Sequence, residues 1–195
     1  MLLAVWRPVG LIGFGDLARA FTPLLAPFRC AVKAYDPWVS DLVMEEFGVT
    51  AASLDEVLAG SRVIVVFAGV TSQNQHFLGK REFDLIAPGS VFLLMSRAAV
   101  VDFPELLRQT ASGRLRAATD VFPIEPAPRD DPARAVEGLL ASPHRAGALP
   151  QALFDIGRQT VADAELILKG LPPLSCRRAQ RETVALSRSK PIEKS

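Results

Sequence analysis

Apolar residues in this chain form short continuous runs, separated by stretches in which they recur every three to four positions. Residues 9–12 are a first apolar run, closed by Gly13. Residues 16–26 then read as a helix with Leu17, Ala20, Leu24 and Leu25 on one side, and Pro23 predicts a kink or an early tight turn inside it. Residues 31–35 are a second strand candidate, and 41–47 and 54–59 read as short helices. The clearest strand is 63–67, Val-Ile-Val-Val-Phe, which is uncharged and β-branched or aromatic throughout, as a strand covered on both faces requires. Residues 91–95, Val-Phe-Leu-Leu-Met, form another, entered through the turn Pro88-Gly89. Residues 103–112 read as a helix with Leu106 and Leu107 inside, and Gly113 suits the left-handed position just past its end. Two short strands, 117–121 and 139–141, precede the longest helix, 151–169. There Leu153, Ile156, Val161, Ala164, Ile167 and Leu168 keep close to a helical period, until Gly170 and Pro172-Pro173 end it.

Alternating strands and helices, with nearly continuous apolar strands, predict an α/β fold: a doubly wound parallel sheet followed by a C-terminal helix and tail. The expected division is a domain over 8–150, a helix over 151–170 and a poorly ordered tail over 171–195. From Arg177 onward that tail holds six Lys/Arg against two acids and few large apolar residues.

Composition narrows the function classes. Of 195 residues 49% are apolar and 22% charged, a globular balance large enough for a core without disulfides. Lys plus Arg is 22 against 21 acids, so no basic excess points to a nucleic-acid partner. No apolar run reaches the length of a membrane span, and the apolar opening 1–6 lacks a basic start and a small-residue cleavage site, so no signal peptide is expected. Cys30 and Cys176 lie far apart without metal-ligand spacing, which favours a reducing, cytoplasmic setting and no metal.

Chemistry enters with Gly13-Phe-Gly15-Asp-Leu-Ala18, a G-x-G-x-x-A directly after a strand and directly before a helix. Gly13 permits a tight turn, Gly15 lets backbone approach a pyrophosphate, and Ala18 allows close helix–strand packing. Phosphates would sit on the amides at the helix start. The second strand ends at Tyr35-Asp36, about twenty residues on, where a carboxylate accepts from ribose hydroxyls and repels a 2′-phosphate. These features together predict a Rossmann-like dinucleotide site with NAD favoured over NADP.

Three polar residues follow at strand ends. Arg97 follows the 91–95 strand, Glu125 lies in a proline-rich loop after Asp120, and His144 lies just past the last strand candidate. Hydride transfer at a carbinol needs a base for the hydroxyl proton, and imidazole suits it. A carboxylate beside the ring would orient it, and an arginine would hold a substrate carboxylate in a bidentate pair. His76, in a turn, reads as structural.

The motifs Val9-Gly-Leu-Ile-Gly-Phe-Gly15, Tyr35-Asp36-Pro37, Pro88-Gly89-Ser90, Ser96-Arg97 with Val100-Val101-Asp102, Thr119-Asp120-Val121-Phe122 with Glu125-Pro126, and Ser142-Pro143-His144-Arg145-Ala146-Gly147 carry a resemblance. Over residues 8–170 the chain resembles the NAD-binding domain of the D-isomer-specific 2-hydroxyacid dehydrogenases. The resemblance implies that Gly13, Gly15, Asp16 and Leu17 line the pyrophosphate and Asp36 takes the adenosine ribose. It implies further that Ala68, Gly69, Val70 and Thr71 border the nicotinamide half, Asp120 meets the carboxamide, and Gly147 gives room beside the nicotinamide ribose. Arg97 would bind the substrate carboxylate, and Glu125 would pair with His144, the proton donor and acceptor. The implied partners are a small 2-hydroxy or 2-oxo acid and a second copy in a homodimer, with neither nucleic acid nor membrane.

Three departures stand beside this. The family's substrate domain precedes the glycine motif, which here begins at residue 13, so the resemblance implies that most of that domain is missing. The stretch from Arg97 to Asp120 is one residue short near 115–119, which could shift a strand's register. The usual Arg-Gly pair is Arg97-Ala98. The alternative reading is therefore a truncated NAD-binding module with little catalysis of its own. A short-chain reductase is disfavoured, because the only tyrosine, Tyr35, has no lysine four residues later.

Overall fold

The computed structural model describes residues 7–176. The expectations for residues 1–6, and for the tail from 177 onward, lie outside the described residues. Among those described, the strands are β1 (Val9–Ile12), β2 (Val32–Tyr35), β3 (Thr50–Ala51), β4 (Val63–Val66), β5 (Val91–Leu94), β6 (Arg116–Thr119) and β7 (Leu139–Ala141). They form one parallel sheet in the order β3-β2-β1-β4-β5-β6-β7, so the doubly wound fold is observed. The helices are α1 (Asp16–Phe21), α2 (Asp41–Glu46), α3 (Leu54–Gly60), α4 (Lys80–Leu85), α5 (Phe103–Ala111) and α6 (Pro150–Leu168).

Side-chain alternation explains the two covered faces. Ile12, Ile64, Val66, Phe92 and Leu94 point into one buried cluster with Val57, Leu58, Phe83 and Leu106. Val9, Leu11, Ala34 and Val65 point into the other with Phe14, Ala18, Leu25 and Met44. Gly10 is needed where α3 crosses β1, since a Cβ there would lie 2.5 Å from Ser61 Oγ and 2.7 Å from Val57 Cγ1. Ser53 caps α3 by accepting the Glu56 amide, while the Glu56 carboxylate accepts the Ser53 amide at 2.8 Å. The Ser53 hydroxyl, donating to the same carboxylate at 2.7 Å, and then the Ser53 amide hold the Glu56 carboxyl below its usual range.

The first helix differs from expectation. It stops at Phe21, and Thr22–Phe28 continues as a 3₁₀ turn containing Pro23 and Pro27. Prolines without amides cannot extend an α ladder. The buried side is Ala18, Thr22 and Leu25, whereas Leu17 and Leu24 are 62% and 67% exposed and Ala20 faces solvent. Elements α4 and β3 carry too little apolar periodicity to be read in advance. The shortened 97–120 stretch does not disturb pairing: Val91 is opposite Arg116 and Leu94 opposite Thr119. Ala98 opens a 3₁₀ turn at 5% exposure, so an alanine is accommodated beside Arg97.

Helix α6 stands apart. Leu153, Phe154, Ile156, Val161 and Ile167 are each more than half exposed. Its buried residue is Asp163, whose carboxylate accepts the amides of Leu174, Ser175 and Cys176 at 2.9, 2.9 and 2.5 Å. Residues 171–176 thus fold back along the helix. No described helix is long and apolar enough to cross a membrane.

Candidate functional site

Parallel register brings all strand ends to one edge. Ile12 is level with Tyr35 and Val66, Val66 with Leu94, Leu94 with Thr119, and Thr119 with Ala141. Gly13, Asp36, Ala68, Arg97, Asp120 and His144 all follow these residues within three positions. The sheet order reverses between β1 and β4, which opens a crevice at the carboxyl edge where such folds take ligands.

A cavity of about 630 Å³ occupies that crevice, lined by Gly13, Asp36 and Trp38 on one side and by Ala68, Gly69, Thr71 and Asn74 on the other. Gly13 sits at φ +89°, and a Cβ would lie 2.5 Å from the Ala68 nitrogen, so the glycine turn rests directly on the β4 exit. The turn is tied to β2 as well: the Gly13 amide donates to the Tyr35 carbonyl at 2.9 Å, and the Phe14 amide donates to Asp36 Oδ2 at 2.7 Å. Asp36 Oδ1 accepts the Trp38 amide at 2.9 Å. This network fixes the carboxylate at the rim as an acceptor. A Cβ at Gly15 would meet nothing within 4 Å, and no side chain caps α1, so backbone faces open space there. Gly15, Asp16 and Leu17 lie at the exposed start of α1 rather than in the cavity wall.

The segment after β4 lines the same cavity as Asp36, from the opposite side. Val70 departs from its neighbours, because its side chain is 2% exposed and belongs to the core. The residues that hold this segment carry no motif: Asn74 donates to the Gly69 carbonyl and accepts the Thr71 amide, both at 2.7 Å. Asn74, Gln73, Trp38 and Phe77 all line the cavity and were not read from the sequence. The only signal for Asn74 was an amide side chain three residues after a threonine, a turn-forming pattern. His76 is bound away from the cavity, its Nδ1 2.9 Å from the Val101 carbonyl oxygen.

Further along the edge, Glu125 and His144 meet. His144 Nδ1 lies 2.6 Å from Glu125 Oε2, and Glu125 Oε1 accepts the Phe122 amide at 2.9 Å. With both carboxylate oxygens accepting, Nδ1 carries the hydrogen and Nε2 is the nitrogen left for proton exchange. The carboxylate is more sheltered than the ring, 18% against 39% exposed. His144 holds φ +50°, a left-handed turn that follows β7. Asp120 is 6% exposed and its Oδ2 accepts the Ala146 amide at 3.3 Å, pinning the segment that carries His144 and Gly147. Gly147 is exposed, and an added Cβ there would meet nothing within 4 Å. Arg97 is half-buried at the end of β5, its Nη1 donating to the Ser96 carbonyl at 2.7 Å. No cluster of His, Cys, Asp or Glu suited to a metal occurs among the described residues.

Comparison with known proteins points to one family. Residues 6–146 fit the family model described as D-isomer specific 2-hydroxyacid dehydrogenase, NAD binding domain. D-3-phosphoglycerate dehydrogenase of Archaeoglobus fulgidus is 29% identical over 167 residues, covering 85% of this chain and 32% of that protein. The Mycobacterium tuberculosis enzyme of the same name is 28% identical over 84% of this chain and 31% of its own length. The chain therefore spans about a third of these relatives. Among solved structures, a phosphoglycerate oxidoreductase from Rhizobium etli superposes with a TM-score of 0.78 at 44% identity, covering 90% of this chain and 53% of that one. D-lactate dehydrogenase from Escherichia coli superposes with a TM-score of 0.75 at 26% identity, covering 88% and 54%.

Proposed function

The chain belongs to the D-isomer specific 2-hydroxyacid dehydrogenases and carries their NAD binding domain, and from that premise we propose that it serves reversible hydride transfer between NAD(H) and a small 2-hydroxy or 2-oxo acid. The observation that carries this reading is the His144–Glu125 pair, at 2.6 Å, on the sheet edge that also holds the Asp36 cavity.

The residues present fit the cofactor. Asp36 presents acceptor oxygens to an adenosine ribose, and its charge disfavours a 2′-phosphate. Gly13 keeps the turn low, Gly15 leaves room for a diphosphate, and the amides at Asp16 and Leu17 begin a helix whose dipole favours negative charge. Ala68, Gly69 and Thr71 wall the cofactor cavity opposite Asp36, and Val70 anchors them through the core. Asp120 and Gly147 border the nicotinamide side. When bound, NAD supplies the hydride acceptor or donor.

The remaining chemistry belongs to the chain. Nε2 of His144 gives a proton to the substrate oxygen during reduction and takes it back during oxidation. Glu125 holds Nδ1–H and fixes the orientation of the ring. Arg97 orients the substrate carboxylate through its planar fork of donors. We place the protein in the cytoplasm, in keeping with its free cysteines, as a homodimer without nucleic-acid or membrane partners.

The test is the loss of NADH absorbance when purified chain meets glyoxylate, hydroxypyruvate or pyruvate. Turnover abolished by His144→Gln is expected. NADH binding without turnover on any of the three acids would instead assign the chain as a cofactor-binding module.

A further inference from the structure

Resting on the reading that the cavity rimmed by Asp36 takes the adenosine half of NAD, we propose that Asn74 is a positioning residue that sets the β4-side wall of that cavity. The segment from Phe67 to Asn74 belongs to no helix or strand, and past Ala68, whose amide donates to the Ile12 carbonyl, no strand holds it. It includes Gly69, where an added Cβ would meet nothing within 4 Å and whose backbone is costly to order. Val70 fixes the segment's position by burying its side chain, but a buried side chain does not set the peptide planes on either side of it.

Asn74 does so. Its side chain is nearly buried, at 7% exposure, and its two ends reach the two peptides flanking Val70. Nδ2 donates to the Gly69 carbonyl and Oδ1 accepts the Thr71 amide, each at 2.7 Å. The Thr71 hydroxyl then accepts the Gln73 amide at 3.2 Å, closing the turn. Gly69, Thr71, Gln73 and Asn74 all face the cavity opposite Asp36, so the orientation of these peptides is the shape of the wall. The clamp has its own footing. Two residues on, the His76 amide donates to the Ala99 carbonyl at 2.8 Å and its ring meets the Val101 carbonyl, which ties the turn to the segment after β5. A carboxamide is required because the two peptides present one acceptor and one donor. Aspartate offers acceptors alone, and alanine offers neither.

The experiment is calorimetric titration of the whole chain with NADH and with ADP-ribose, for wild type, Asn74→Ala and Asn74→Asp, with melting temperature and circular dichroism recorded alongside. Freeing the wall makes ligand binding bear its ordering, so both variants lose about tenfold in affinity for both ligands while the folded spectrum is kept. Asn74→Asp has the volume of asparagine without its donor, so its failure to restore affinity separates hydrogen bonding from space filling. If Asn74→Ala does not fold, Asn74→Asp decides alone. Wild-type affinity for ADP-ribose in either folded variant overturns the assignment of Asn74 and leaves the cofactor reading standing. A wild-type chain that binds neither ligand overturns both.

Discussion

Gly13 answers to two constraints: its φ of +89° disfavours any side chain, and a Cβ would strike the Ala68 backbone at 2.5 Å. Because that neighbour is backbone, it cannot swing away. Gly13→Ala should therefore cost about 2–4 kcal/mol, combining a strained left-handed residue with overpacking, as measured by urea denaturation. Gly15 meets no such obstacle, so Gly15→Ala should leave stability nearly unchanged and weaken NADH binding. A stability loss at Gly15 equal to that at Gly13 would contradict a ligand-facing role. At the proton-transfer pair, Glu125→Gln keeps the size of the side chain but removes the charge that faces Nδ1. Turnover should fall by about 10²-fold or more, the scale on which general acid–base groups act, with NADH affinity unchanged. An unchanged rate would remove Glu125 from the mechanism. These residues were legible because each sits where strand pattern and motif coincide. Asn74 was not, since its partners are main-chain groups that no side-chain pattern announces.

At the scale of elements, strands marked by uncharged runs such as Val63–Val66 were read almost to the residue, whereas the two-residue β3 carried no such run and β6 lies at Arg116–Thr119 rather than 117–121. Helices were read less well where little apolar surface marks them. Lys80–Leu85 buries Phe83 and shows no amphipathic run. Thr22–Phe28 tightens to a 3₁₀ turn, the early tight turn that Pro23 allowed as the alternative to a kink. On α6 the apolar period was right, yet it marks an exposed row rather than a buried one, because periodicity reports a face and not what covers it. Phe154, at 67% exposure, should therefore be replaceable by serine within about 0.5 kcal/mol of wild-type folding stability. The one firm anchor on that helix is Asp163. Three backbone amides, Cys176 foremost, depress its carboxyl from the ordinary 3.8 to about 2. A carboxyl whose folded value is lowered stabilises the folded form above its unfolded value and loses that stabilisation on acidification. Amide-exchange protection of Leu174, Ser175 and Cys176 should thus be full above about pH 4 and fall away as pH drops through about 2. Protection that is flat across this interval, or retained in Asp163→Ala, would show that other contacts hold the segment.

Over the whole molecule, one sheet order does most of the functional work. Seven parallel strands in register deliver a glycine turn, an acidic strand tip, an arginine and a carboxylate–imidazole pair to a single edge. The order reverses where the cavity opens, between β1 and β4. Sequence spacing could name these residues singly, but their convergence depends on which strands are neighbours, and that is a property of the folded sheet. The most direct test of the central claim is calorimetric titration of the whole chain with NADH and NADPH, repeated on Asp36→Ala. Saturable NADH binding at one site per chain, weak NADPH binding, and a discrimination that collapses in the variant are the expected results. Absence of NADH binding by the folded chain, or equal affinity for both dinucleotides in the wild type, would contradict it.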